Sequence, residues 1–380
     1  MNQRQPSQPT EPTRDDRAAC PECGPSVSAA ASAAVAAAPD RRAFLRTAAG
    51  GLAAAVGAGV LGRVPALAAE SPAATATTAP AARKSETLAA QLFSTLTDAQ
   101  KQAVALPYGH ERRRMVNNNW AITKPMVKDL LTGEQQALVR ELFDGLVAPE
   151  WKARFAKQMK DDTGGGDITH YHLGVFGAPQ DKDGYELVIT GRHLTVRCDG
   201  AADRAAAFGG PIFYGHAADG FNESPTHPGN VFWPQALRVN ELFRALDGRQ
   251  RSAALLDKAP DESAVRLPGS APGRPGLAVS EMSADQKALM KAVLADLLAP
   301  FRPADAADVA ACIEAGGGAD HLHLSVYRKP DAGGDGIWDV FRVEGPTMVW
   351  NFRAIPHVHC WVNVARTVEA GAYILGKSAK

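Results

Sequence analysis

The sequence predicts an α+β fold of two duplicated halves, each with helices first and an antiparallel meander second, related by a pseudo-two-fold axis. Three observations predict it. Two long segments match each other, apolar spacing changes from helical to alternating at the same point of each, and histidine pairs recur where the alternation begins.

The duplication is read along most of the chain. In segment 88–100, Leu92, Phe93 and Gln100 fall on Leu242, Phe243 and Gln250 of segment 238–250. Leu131, Gln135 and Leu138 fall on Met282, Gln286 and Leu289, and at the same offset Pro149 falls on Pro300, His170 on His321, His172 on His323 and Pro179 on Pro330. Helices open each half. Thr97 with Gln100, Thr132 with Gln135 and Ser283 with Gln286 have capping-box spacing, in which hydroxyl and amide satisfy free N–H groups at a helix start. Leu138, Val139, Leu142, Phe143 and Leu146 follow at helical spacing, matched by Leu289, Met290, Val293, Leu294 and Leu297, and read as core stripes. Hairpins follow: 185–198 alternates around Gly191, and 338–352 around Gly345.

Before the halves, residues 1–39 read as a disordered extension and contain one Cys20-Pro-Glu-Cys23 motif with no second pair to complete a zinc site. Residues 40–69 read as a signal peptide. Arg41 and Arg42 precede Phe44-Leu45, then come an Ala/Gly/Val run and Ala66-Leu67-Ala68, as in a twin-arginine signal. The expected partner is therefore the twin-arginine export machinery, the expected location periplasmic or secreted, and no stable membrane insertion is expected after cleavage. A linker at 70–87, a first half at 88–199, a His-containing connecting loop at 200–237, a second half at 238–366 and a tail at 367–380 complete the division. Past Ala69 three cysteines remain, Cys198, Cys312 and Cys360, in apolar surroundings that suit buried thiols. With 41 basic and 41 acidic side chains the chain carries no surplus of positive charge, against nucleic acid as a partner.

Chemistry is concentrated in histidine. Six of the ten histidines form His-x-His pairs: His170 with His172, His321 with His323, and His357 with His359. In a strand, residues two apart share a face, so His357, His359 and Trp361 line one side while Val358, Cys360 and Val362 line the other. Two imidazoles on one rigid face are half of a metal site. His193, alternating with Thr195 and Arg197, is a candidate from the first half, and His216 lies where the first half answers to His357 and His359. The candidate metal ligands are His193, His357 and His359, with His170, His172, His321 and His323 in a second site or the pocket. An all-imidazole set suits copper or zinc, then iron, and disfavours calcium or magnesium. Asp167, Asp320 and Glu344 are candidates to orient the imidazoles, and Tyr171, Tyr327 and Trp361 to wall the site. No glutamate follows the His-x-His pairs at cupin spacing, no histidine follows Cys360 as in multicopper oxidases, and neither a G-x-S-x-G elbow nor a phosphate loop is present.

The order of five motifs resembles a known family. Residues 107–114 with Trp120, Gly191-Arg192-His193-Leu194, residues 208–211, residues 341–346 and His357-Val358-His359 occur as in the exported bacterial family called domain of unknown function 3500. The resemblance spans roughly residues 88–365 and matches His193, His357 and His359 to the family's histidines. Arg192 departs from it, standing where that pattern has another histidine. The resemblance implies no reaction. Three functions remain open: a metal-dependent enzyme, hydrolytic or oxidative; a metal-binding or carrier protein; and a module that binds a small molecule or peptide, its histidines only hydrogen-bonding.

Overall fold

A computed structural model describes residues 84–181, 184–200, 205–216, 231–331 and 337–377. The expected extension with Cys20 and Cys23, the expected signal at 40–69 and His227 lie outside the described residues. In chain order the helices are α1 (Lys84–Thr95), α2 (Asp98–Val104), α3 (Val127–Leu130), α4 (Gly133–Leu146), α5 (Lys152–Thr163), α6 (Pro234–Ala245), α7 (Gly248–Ala254), α8 (Ala284–Leu298) and α9 (Pro303–Ala315). The strands are β1 (Ala105–Leu106), β2 (Met115–Val116), β3 (His172–Gly177), β4 (Tyr185–Gly191), β5 (Leu194–Asp199), β6 (Ile212–His216), β7 (Leu255–Leu256), β8 (Leu277–Ala278), β9 (His323–Tyr327), β10 (Val340–Gly345), β11 (Met348–Arg353), β12 (Val358–Val364) and β13 (Ile374–Leu375).

Eleven of these strands make one mixed sheet in the order β1-β3-β4-β5-β6-β12-β11-β10-β9-β7, with β8 paired to β9. The fold is thus mixed α/β around a large mixed sheet. It is not purely antiparallel, because the short strands β1 and β7 run parallel to β3 and β9. Part of the segment read as connecting loop is strand. Ile212–His216 pairs with β12, Phe213 opposite Trp361 and His216 opposite Val358, and so joins the two sets of strands. Its Gly/Pro-rich surroundings hid that short apolar run in the sequence.

The helix starts follow the spacing. Thr97, Thr132 and Ser283 each accept from the backbone N–H of the glutamine three residues on, and each glutamine returns its side chain to the cap backbone. Asp247 with Gln250 makes a fourth box. The four glutamines then join in two pairs. Gln100 Nε2 donates to Gln135 Oε1 at 2.8 Å, and Gln250 Nε2 to Gln286 Oε1 at 2.9 Å. The reverse bonds are 3.1 Å and 2.8 Å long. One helix pair is locked to the next in the same way at both places.

One sheet face packs on the helices and forms the main core, with Val358, Cys360 and Val362 beside Trp350 and Phe352. On the other face lies a small apolar cluster of Trp361, Phe213, Val349, Val265 and Leu267 among polar side chains. Segment 107–122 covers part of that polar face. Buried Arg197 is paired at 2.6 Å to buried Glu186, and its guanidinium also donates to the carbonyls of Arg113 and Met115. Arg113 reaches the same carboxylate at 3.0 Å. The arginine-rich motif at 107–114 is therefore a clamp that holds the chain on the sheet. Among the described residues, no helix is long and apolar enough to cross a membrane.

Candidate metal centre

Two elements present the site. Gly191 faces Leu194 across β4 and β5, leaving Arg192 and His193 as the two turn residues. His193 takes φ +54°, in the left-handed region. For a non-glycine residue this costs about 1–3 kcal/mol and persists only where the surroundings enforce it. Here they do. The His193 N–H donates to Asn118 O at 2.7 Å, and its carbonyl accepts from the Gly215 N–H at 3.1 Å. Trp120 Nε1 and Thr195 Oγ1, 2.8 Å apart, tie the covering segment down beside the turn. On β12, alternation puts His359 and Trp361 on the polar face, with His357 one step before the strand. Gly215 lies opposite His359. A Cβ there would run into Val358 O and come within 3.3 Å of the His193 ring, so only glycine admits this approach.

Three ring nitrogens converge. His357 Nε2 is 3.1 Å from His193 Nε2 and 3.0 Å from His359 Nε2. The potential ligand atoms of all three lie within 4.8 Å of one another. Tetrahedral bonds of 2.0–2.1 Å place neighbouring ligand nitrogens about 3.3 Å apart, so little adjustment is needed to enclose an ion. His193 and His359 are fully buried, and His357 is 7 % exposed.

Carboxylates stand behind two of the rings. Asp162 Oδ2 lies 3.0 Å from His193 Nδ1, and Glu262 Oε1 lies 2.6 Å from His359 Nδ1. Each carboxylate thus stands at the outer Nδ1 of its ring, where Arg353 Nη2 also approaches His359 at 2.5 Å, while the Nε2 atoms face inward. His357 can donate to only one of these two neighbours. Buried imidazole nitrogens that converge in this way suit a cation, and carboxylate behind imidazole is the usual support of a metal-bound histidine.

The carboxylates are themselves held. Asp162, in the last turn of α5, accepts from Gln158 Nε2 at 2.7 Å, and Arg192 Nε is 3.8 Å from its other oxygen. Gln158 also contacts the Tyr171 hydroxyl, which donates to the Arg192 carbonyl at 3.1 Å. Burial pushes the Asp162 carboxyl up, but His193, His216 and Gln158 together outweigh it and hold it below its ordinary value. Glu262 receives Trp361 Nε1 at 3.1 Å and the guanidinium of Arg353. Burial opposes its ionisation too, and His359 and Arg353 outweigh that as well. Burial lowers His359 to about 3, Glu262 opposing and Arg353 adding to the shift. Burial, then His359, His193, Arg353 and Arg192, lower His357. Both imidazoles are therefore neutral near pH 7, as metal ligation requires.

The other paired histidines stand apart from this group. His170 ends a short 3-10 turn, with Nδ1 3.8 Å from Asp167. His172 opens β3, its Nδ1 3.1 Å from Pro125 O. His321 ends the corresponding turn, and His323 opens β9 opposite Glu344. At about 4.8 Å per strand, β3 lies roughly 19 Å from β12 and β9 roughly 14 Å. The histidines whose ligand atoms lie close enough together to hold one ion are His193, His357 and His359, and this group does not include His170, His172, His321 or His323. In these two places the chain leaves its turn and only then starts to pair, so the first histidine of each pair is not in a strand. His216 bonds Asp161 Oδ2 at 2.8 Å, beside Asp162. The expected orienting acids lie elsewhere: Asp167 pairs with Arg140, Asp320 with Lys287 and Glu344 with Arg342. Tyr171 and Trp361 do border the site, whereas Tyr327 lines a separate cleft of about 490 Å³ with Lys258 and Arg342.

Asp162, Glu262, Gln158 and Arg353 were not singled out by sequence reasoning. Asp162 and Gln158 had a signal, since they share a helical stripe with buried Phe155 and Met159. Glu262 lies in a Pro/Gly-rich loop whose pattern gives none.

Fold and site together define a mixed α/β protein with a buried three-histidine group that could hold a metal ion. Residues 78–371 match the family described as a protein of unknown function, DUF3500, and the chain belongs to that family. No curated protein and no solved structure matches it significantly.

Proposed function

We propose that this chain is an exported metalloprotein whose His193, His357 and His359 hold one transition-metal ion, zinc or copper before iron, as the centre of a metal-dependent enzyme. The observation that carries this reading is the convergence of three Nε2 atoms, with His357 Nε2 about 3 Å from both others and Asp162 and Glu262 behind those two rings. Three neutral imidazoles with one open direction would let a bound ion polarise water or another ligand. The chain's own part is to fix the rings, keep them unprotonated and exclude bulk water. A carrier without turnover is the second reading, and the near-complete burial of the triad favours it by slowing release.

We further propose that the chain is a duplication about a pseudo-two-fold axis between β6 and β12. The strand order on either side of that seam, with the two glutamine pairs, supports it. The site would then draw His193 from one half and His357 and His359 from the other. Export through the twin-arginine route rests on Arg41, Arg42 and the run after them.

Metal analysis of the purified protein tests the central claim. About one equivalent of transition metal is expected, absent from H357A/H359A while that variant keeps its helical circular dichroism. Undiminished metal in the double variant would remove the triad from the reading. Bound metal with no turnover of any ester, phosphoester or oxidisable substrate tried would favour the carrier.

A further inference from the structure

The charges around the triad do not balance a metal ion. The three imidazoles are neutral ligands, and each supporting carboxylate has its own guanidinium. Glu262 is paired with Arg353, and Asp162 lies 3.8 Å from Arg192. The ligand group among the described residues contains no carboxylate. A divalent ion would thus keep nearly its full charge in a site removed from water, where uncompensated charge is costly.

Access has a direction. His357 is the one triad member with measurable exposure, at 7 %, the other two being at 0 %. The side chains of Arg192 and Arg353 are 14 % and 11 % exposed. Both guanidiniums act on His357 electrostatically, and Arg353 Nη1 lies 3.5 Å from the His357 carbonyl. The exposed member of the triad is thus the one on which both guanidiniums act, and Asp161, next to Asp162, is tied to His216 and Lys157.

We propose that the remaining ligand is an anionic oxygen donor, the carboxylate or other oxyanion of a small substrate, entering beside His357 between Arg192 and Arg353. This rests on the metal-centre reading above. The ion and the two guanidiniums would attract such a donor, and its charge would offset the ion's, whereas a neutral ligand would leave the imbalance in place.

The test uses the full chain loaded with cobalt(II), whose visible absorption reports changes in coordination. At low salt, acetate, inorganic phosphate and neutral acetamide are titrated in turn. Saturable spectral change with acetate or phosphate, and none with acetamide, is expected, and whichever anion binds more tightly identifies a carboxylate or a phosphate as the donor. R192Q should bind that anion roughly tenfold more weakly at unchanged cobalt stoichiometry, with R192K recovering most of the loss. Equal response to acetamide and the anions, or no response to any of them, overturns the proposal while leaving the metal centre standing. Failure of the wild-type chain to bind cobalt would overturn the metal centre itself, and this proposal with it.

Discussion

Asp162 Oδ2 and His193 Nδ1 lie 3.0 Å apart, and both side chains are fully buried. The carboxylate stands behind the ring whose inner nitrogen, Nε2, meets His357 Nε2 at 3.1 Å. Replacing Asp162 by Asn keeps the size of the side chain but removes its charge. D162N should lower metal affinity about 10–100-fold, the usual loss when such a support is removed, with the fold intact. Calorimetric titration with zinc measures it, and unchanged affinity would mean that Asp162 is only part of the packing.

Gly215 supports a second expectation. G215A would push a methyl group into Val358 O and toward the His193 ring, at the pairing of β6 with β12. Overpacking of this kind costs about 1–3 kcal/mol. Urea unfolding should show that loss together with weakened metal binding. A variant as stable as the wild type and fully metallated would contradict the close approach.

The paired glutamines make a third. Gln135 accepts from the Thr132 N–H at 3.0 Å, donates to Thr95 O at 2.8 Å and also bonds Gln100. Q135A should destabilise the protein by about 1–2 kcal/mol, as should Q286A. Q100A/Q135A should cost less than the sum of its single changes, because they share one bond network. Strict additivity would show that the two amides act independently.

The pH response forms a fourth. Burial lowers both His172 and His323 from their ordinary value. In the unfolded chain they protonate near pH 6.5. As pH falls through that value the unfolded state takes up protons first, so stability declines from there toward the lowered folded values. His357 and His359 act in the same sense in metal-free protein. The melting temperature of metal-free protein should therefore fall between pH 7 and pH 5, and fall less in H172Q/H323Q. An identical fall in that variant would assign the effect to His357 and His359 instead.

Much of the architecture was legible because it is local. Capping boxes depend on residues three apart, and each one read from the sequence closes as expected. The two-faced reading of His357 to Val362 holds for the same reason, with Val358, Cys360 and Val362 in the main core and Trp361 on the opposite face. In the sequence, alternation with Thr195 and Arg197 places His193 in a strand. Its turn position and positive φ depend on Asn118, far back in the chain. Repeated spacing also misled, since His170 and His321 share their motif with His357 yet end 3-10 turns. Glu262 reaches His359 only through tertiary folding, and no periodic pattern marks a loop residue that does so.

The strand that closes the seam comes late in chain order. β12 lies between β6 and β11, so it enters the middle of the sheet after nearly every other described strand has been made. Its contacts with β6 span well over a hundred residues, and His357 meets His193 across 164. Such high contact order makes assembly slow, because long loops must close before their pairing is rewarded. A ribosome-bound chain therefore cannot form the triad until synthesis has passed His359. Metal uptake would then serve as a clock for the final act of folding, marking the moment when the two sets of strands become one sheet.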